Sequence, residues 1–537
     1  MVGRAFERKI PIVVGVTAHR AIREGDRSVL FESVKAELSK LQARCPNSPL
    51  MLLTSLAEGG DQLCAEAAVS VGIPLIVALP MERGRFIRDF APESLACFDR
   101  LCTYAIQMFV TPFTEAVPVS GADNDFLYRQ AGIYIAAHSH LMLALWDGGP
   151  GTEAACGTAE AVDFSLRGSY SPARGGALRS GNNTAVLHIY TPRRERCDEP
   201  AGTVHLLGSK TSLDDTLTKT EDFNRLSADV EFRDSSHLPE IPKKGTELWR
   251  IDQVSLAAGR LSRRYAGIYR KLLARLAIAS TVLTLAFLLY DEAEATWMIL
   301  LCGAMLAAAM VFQFIAKRSD CLRRYVEYRS LAECLRVESF LYHAGSRVRA
   351  SELLPWTEQA ETVWVLNALC ALEIGAGPET AHDIRRCWVE DQRDYHISAR
   401  KKAARDLLLS ERVVHTALLL SVLLYLSAVG FELLCGGLIF SPGIHVDNVE
   451  LFRTVLKILL GVFSAATLFI SNYYGKLSLE RKQSDHEKMA RFYAVMADQL
   501  DWRGQEEALL ELIAREELIE NGNWCSYQRD NTPDFSL

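Results

Sequence analysis

Hydrophobic positions follow two different patterns along the 537-residue chain. Up to about residue 200, short apolar runs alternate with amphipathic stretches. Beyond about residue 275, apolar residues continue for whole helical lengths without a charged face. In the first region Ile10–Val16, Leu50–Ser55, Leu75–Leu79, Leu141–Trp146 and Val186–Tyr190 read as strands, each followed by small, polar or turn-forming residues. Between them Phe31–Gln42 and Gln62–Val71 repeat their apolar residues at helical spacing. Strands alternating with helices predict an α/β domain built on a parallel sheet.

In the second region, length separates a buried core from a bilayer. Leu276–Tyr290 offers about 15 uncharged residues, Thr296–Ala316 about 21, and Val413–Phe431 and Ile458–Gly475 about 18 or 19 each, against the roughly 20 needed to cross hydrocarbon. The first can lengthen if Arg275 snorkels to the interface. Four membrane spans follow, with a soluble helical bundle as the alternative, since soluble helices seldom run so far without a polar face. Leu248–Leu273 precedes them as a helix ending in Arg263-Arg264 and Arg270-Lys271, a basic juxtamembrane element suited to an anionic leaflet. The first loop, Asp291-Glu-Ala-Glu294, lacks Lys and Arg, whereas Lys317, Arg318, Arg323 and Arg324 follow the second span and Lys476, Arg481 and Lys482 the fourth. That bias places both termini and the central region in the cytoplasm of a multi-pass inner-membrane protein.

Composition narrows the function classes. A net charge of −7 gives no global basic footprint, so no nucleic-acid partner is expected. The 13 cysteines form no Cys-x-x-Cys pair and several fall in apolar runs, which reads as reduced thiols with neither a disulfide framework nor a metal site. Met1–Lys9 has no apolar core of a cleaved signal peptide.

Candidate chemistry gathers where the strands end. The stretch Thr54-Ser-Leu-Ala-Glu-Gly-Gly-Asp61 runs from a strand through a glycine turn into a helix, a place where free N–H groups and the helix dipole attract anions. Ligands of open α/β sheets sit beyond the strands' carboxyl ends. Here those ends bring Thr17, His19, Arg20, Ser55, Glu58, Gly59, Gly60, Asp61, Pro80 and Asp147 into play. Arg20 would pair with phosphate as a fork of donors. Glu58 and Asp61 would accept hydrogen bonds from ribose hydroxyls, or Asp61 caps its own helix. His19 either touches ligand or bonds to main chain at its strand end.

Gly15-Val-Thr-Ala-His-Arg20, Ser55-Leu-Ala-Glu-Gly-Gly-Asp61 and Gly157-Thr-Ala-Glu160 together resemble the SLOG superfamily of Rossmann-like nucleotide-binding domains, over roughly residues 8–195. The resemblance implies nucleotide binding, with Gly15, Gly59, Gly60 and Gly157 allowing close approach and Thr158 and Ser55 adding hydroxyls. LOG-type members carry Pro-Gly-Gly-x-Gly-Thr-x-x-Glu. Here Gly148-Gly-Pro-Gly-Thr-Glu153 and Cys156-Gly-Thr-Ala-Glu160 each match it only in part, which puts hydrolysis in doubt. If the domain did cut an N-glycosidic bond, the analogy with LOG enzymes implies Glu160 as its catalytic residue, for acid/base or oxocarbenium-stabilising work. Otherwise Glu160 is a first-turn glutamate favoured by the helix dipole.

Each span pair precedes a long charged helix, Arg323–Tyr342 and Leu477–Leu500, a layout similar to SLATT two-span effector modules. The expected division is a SLOG-like domain at 1–200, linker and basic helix at 201–271, a first two-span module at 272–350, a cytoplasmic helical connector at 351–412, and a second two-span module at 413–537. The fold class is thus a Rossmann-like α/β head followed by an all-α four-span transmembrane region. Together the resemblances imply a sensor with no bound cofactor. An ADP-ribose-like or cyclic-nucleotide second messenger would drive a homo-oligomer to permeabilise the lipid bilayer, in bacterial antiphage defence. The alternative is a membrane-tethered LOG-like nucleotide phosphoribohydrolase.

Overall fold

The computed structural model describes residues 8–113, 122–149, 157–167, 184–193, 197–229, 235–293, 297–355, 362–375, 377–378, 380–434, 449–476 and 479–530. The chain divides into two units, one of residues 1–262, 326–384 and 505–526, the other of residues 263–325, 385–504 and 527–537.

The first unit is built on a seven-stranded sheet of order β4-β3-β2-β1-β5-β6-β7. The strands are β1 (Ile12–Ala18), β2 (Leu50–Thr54), β3 (Leu75–Leu79), β4 (Ala105–Val110), β5 (Leu141–Trp146), β6 (Ala185–Tyr190) and β7 (Val204–Leu207). All pairings are parallel except β6 with β7. Alternation along β1 decides the layers. Ile12, Val14 and Val16 join a core with Leu30, Val34 and Leu38 of helix α1 (Arg27–Arg44), Leu63 and Ala67 of α2 (Gly60–Ser70), and Phe98 and Leu101 of α3 (Pro92–Cys102). Val13 faces the opposite way, toward a core with Tyr134 and Ile135 of α4 (Asn124–Ala137) and Val162 of α5 (Thr158–Arg167). A sheet buried on both faces explains why its inner strands read as continuous apolar runs.

Within the stretch expected as linker, β7 and α6 (Lys210–Ala228) belong to this unit. Leu217 and Phe223 of α6 are fully buried. Asn224 takes the Ile10 N–H on Oδ1 at 2.8 Å and donates Nδ2 to the Ile10 carbonyl at 2.8 Å, pinning the start of the sheet. Glu221 accepts from the Asn47 N–H at 2.8 Å and from the Ser48 hydroxyl at 2.6 Å. Further helices complete the unit, among them parts of α7 (Glu247–Ala293) and α9 (Cys321–His343) and all of α10 (Val363–Leu372). Phe223, Tyr328 and Trp364 pack edge to face or tilted, and the Trp364 indole N–H donates to Glu327 at 3.0 Å.

The second unit contains α8 (Met298–Arg318), α11 (Asp391–Leu434), α12 (Val449–Lys476) and α13 (Leu479–Arg503). Among the described residues, three helices are long and apolar enough to cross a membrane, in Glu247–Leu288, Met298–Ile315 and Arg385–Leu433. Only 11% of the Met298–Ile315 window and 0% of the third are buried, so these apolar surfaces lie open, as lipid-facing helices do. The fourth expected span, Ile458–Gly475, lies on α12, which is not one of these three. Glu432, awkward at the end of an apolar run, is met by Arg453 of α12 in a two-pronged pair at 2.6 and 2.7 Å. The Ser421 and Thr467 hydroxyls meet at 3.2 Å between the same two helices.

Phe223→Ala, which empties a fully buried ring site on α6, should destabilise the first unit by about 3–5 kcal/mol. Denaturant unfolding of the detergent-solubilised chain, set beside the wild type, measures it.

Candidate functional site

The turn after β2 is shaped by its own side chains before any ligand arrives. The Thr54 hydroxyl accepts the Leu56 N–H at 3.0 Å and donates to Asp61 at 3.3 Å. Leu56 takes a positive φ of 55° and buries its side chain completely. At Gly59 φ is +83°, and a Cβ there would stand 1.8 Å from the Arg20 carbonyl oxygen. A Cβ at Gly60 would stand 2.4 Å from that of Ala18, and the Gly60 N–H donates to the His19 carbonyl at 3.0 Å. The glycine pair thus locks the β2–α2 turn onto the exit of β1. The Gly60 donor expected to meet phosphate is engaged by the chain itself. Ser55 likewise donates to the Ala78 carbonyl at 2.9 Å, and Glu58 accepts the Ala91 N–H at 2.6 Å.

Asp61 is buried in the first turn of α2. Burial pushes its carboxyl up to about 7, against the opposing effects of the Ala57 N–H, the Thr54 hydroxyl and the Arg20 charge. Arg20 is exposed, with its guanidinium over the Tyr128 ring at 4.9 Å.

Sheet order reverses direction at β1. The chain passes outward through β2, β3 and β4, then returns to β5 on the other side of β1. A crevice beyond the strands at such a reversal is where open α/β sheets take ligands. Here His19 and Asp147 meet. The His19 N–H donates to the Leu145 carbonyl at 3.0 Å, and its Nε2 lies 3.2 Å from both the Asp147 N–H nitrogen and Asp147 Oδ1. One nitrogen cannot donate to the carboxylate while accepting the amide. Burial first, and Arg193 next, lower the His19 pKa despite Asp147, so the neutral ring accepts the main-chain proton. Burial alone would raise Asp147, but the Gly149 N–H at 3.1 Å leads the effects that outweigh it and hold the carboxyl below its ordinary range. Beside them His188 of β6 bonds through Nε2 to the Trp146 carbonyl at 2.9 Å.

The remaining candidates stand as follows. Gly15 is inside β1, where a Cβ would come within 2.2 Å of the Ser139 hydroxyl, so it serves helix-on-sheet packing. Thr17 is half-buried opposite Ala144, and Pro80 is buried after β3. Gly157 is exposed, with nothing within 4 Å of an added Cβ, and Thr158, buried, opens α5. Glu160 pairs with Arg129 of α4 at 3.1 Å. The Pro150–Cys156 part of the glycine-rich motifs lies outside the described residues.

The structure therefore brings together Ala18–Arg20 with Gly59–Asp61, and His19 with Asp147. Sequence reasoning passed over Tyr128, Arg129, His188 and Arg193. Only Arg193, directly after the Thr191-Pro192 exit of a strand, carried a signal that could have found it. An ionised Asp147 suits hydroxyl donors, and the exposed guanidiniums of Arg20 and Arg193 suit anions. No protein-family model matches the chain, and no curated protein matches it either.

Two outcomes follow from this geometry. Gly59→Ala should disrupt the turn, lowering thermal stability measurably, whereas Gly157→Ala, with open space around it, should leave the melting temperature unchanged. Asp61 keeps its proton in the fold up to about 7, while the unfolded chain loses it near the ordinary carboxyl value. Its contribution to stability is thus fully present at acid pH, declines as pH rises to about 7, and is constant above. Asp61→Asn should flatten that part of the profile in melting curves taken between pH 4 and 8.

Proposed function

We propose that the chain is a membrane-anchored nucleotide sensor and effector. A nucleotide-derived signal, ADP-ribose-like or cyclic, binds beyond the carboxyl ends of β1, β2 and β5, and binding drives copies of the chain to assemble and open or disrupt a bacterial inner membrane. The observation that carries this reading is the His19–Asp147 contact at the reversal of strand order, in a chain that also holds three membrane-length helices. In this reading Asp147 accepts from ribose hydroxyls, and Arg20 and Arg193 pair with phosphate. The Gly59–Gly60 turn sets the shape of the crevice.

Helix α12 acts as the fourth span, with the Glu432–Arg453 pair neutralising the outer ends of α11 and α12. Loop charges then leave both termini in the cytoplasm. The resemblance to SLOG and SLATT supports a role in antiphage defence. Ligand must prefer the open assembly by about 5 kcal/mol to turn a mostly closed population mostly open.

The test uses the full chain. Isothermal titration in detergent against nucleoside monophosphates, cyclic nucleotides and ADP-ribose should give saturable binding to one of them. Ion efflux from liposomes bearing the chain should follow that same compound. Arg193→Ala should weaken binding about tenfold or more, a loss of roughly 1.4 kcal/mol. Absence of binding across the panel would overturn the sensor. Release of free base that disappears in Glu160→Ala would replace it with a hydrolase.

A further inference from the structure

Away from the strand ends, four charged side chains of the first unit meet in its interior. Arg349 donates Nη1 to Glu338 Oε1 at 2.8 Å, and its Nη2 lies 3.7 Å from Glu247 Oε1. The second Glu338 oxygen accepts the Ala350 N–H at 2.8 Å. Glu373 accepts the Ser351 N–H at 3.0 Å and the Ser351 hydroxyl. Glu338 is 0% and Glu373 2% exposed. The Tyr342 ring lies 5.1 Å from the Arg349 guanidinium, and its hydroxyl donates to the Gly377 carbonyl at 3.4 Å. Gly375 closes the group. A Cβ there would stand 2.3 Å from Glu247 Oε2, and its N–H donates to the Tyr134 hydroxyl at 3.1 Å.

These bonds hold together segments far apart in sequence: the first turn of α7 at Glu247, Glu338 and Tyr342 on α9, residues 349–351, residues 373–375, and α4 through Tyr134. With all three carboxyls ionised, the cluster would set three negative charges against Arg349 and against Arg250 one turn along α7. Low-dielectric surroundings penalise such an excess, and a bound proton relieves it.

We propose that this cluster is a proton-operated latch on the first turn of α7, closed while one of its carboxyls is protonated and loosened when that proton leaves. The latch is independent of any nucleotide site. Burial pushes Glu247 up to about 7, with Glu373 adding to the rise and Arg349, Arg250 and the nearby Tyr342 hydroxyl opposing it. Burial and then the Glu373 charge raise Glu338 well above the usual carboxyl range. Both shifts are upward, so the folded cluster keeps protons that an opened one would release. The part of the hold on α7 that Glu247 supplies is therefore strongest at acid pH, declines as pH climbs from the ordinary carboxyl value to about 7, and is flat above. A cleft of about 1300 Å³, lined by Glu247, Arg250 and Tyr342 among others, gives water a route to the cluster. His343 and His382 stack at 4.6 Å in the same cleft, and burial and then His382 lower the His343 pKa. Tyr134, raised by burial, stays neutral throughout.

Hydrogen exchange of the full chain in detergent, corrected for intrinsic rates, tests the latch at pH 6 and pH 8. Residues 243–250 and 349–351 should lose about tenfold in protection at the higher pH, one pH unit below a midpoint near 7 being worth a factor of ten. Glu247→Gln, which cannot ionise, should keep the pH 6 protection at both values while leaving the His343–His382 pair in place. Should that variant fail to fold, Glu338→Gln takes its place with the same expectation. Equal wild-type protection at both pH values, or a full pH response in the glutamine variants, would overturn the proposal.

Discussion

The candidate site depends on one close approach, the turn between β2 and α2 resting on the main chain of Ala18–Arg20. Two glycines make it possible. At Gly59 no side chain could stand beside the Arg20 carbonyl, and at Gly60 the N–H bonds directly to the His19 carbonyl. Through that bond the exit of β2 is registered to the exit of β1. Two further bonds between His19 and the β5 end, to the Leu145 carbonyl and from the Asp147 N–H, register β1 to β5. Three neighbouring strand ends are thus fixed by two main-chain bonds and one to the His19 ring, which leaves exposed cations such as Arg20 and Arg193 to meet whatever enters.

In the second unit the opposite condition holds, because apolar surface is left open and polar groups must find each other. Glu432 and Arg453 satisfy one another in a fork, and the Ser421 and Thr467 hydroxyls meet between the same helices. An unpaired carboxylate beside so much apolar surface would be costly wherever that surface is covered, and the pair satisfies the acidic residue at the end of the apolar run.

Much of the sheet was legible because its inner strands are continuous apolar runs ended by turn residues. Leu75–Leu79 and Leu141–Trp146 have the same limits in sequence and structure. The edge strands were not. In β4 the outer residues Ile106, Met108 and Val110 are exposed and Gln107 interrupts the run, while β7 pairs antiparallel at the far edge as four residues in a polar stretch. Helix α6 read as a connector because its surface is polar. Its buried side, Leu217, Phe223 and Asn224, is visible only once its partners are known. At the site, sequence located His19, Arg20 and Asp147 by their place after strands. It could not show that the Gly60 N–H and the Ser55 hydroxyl are already bonded, since those acceptors belong to residues 19 and 78. The buried Glu247–Arg349 cluster was invisible for the same reason, being assembled from five separate segments.

The first unit is discontinuous along the chain. Residues 326–384 and 505–526 belong to it, and Ala371 and Ile374 reach the second core of the sheet. Those segments leave the ribosome only after apolar helices such as Met298–Ile315 have been made. Completion of the first unit must therefore wait until those helices have been made, so a chain cut short before residue 326 carries all seven strands but leaves the second core of the sheet unfinished.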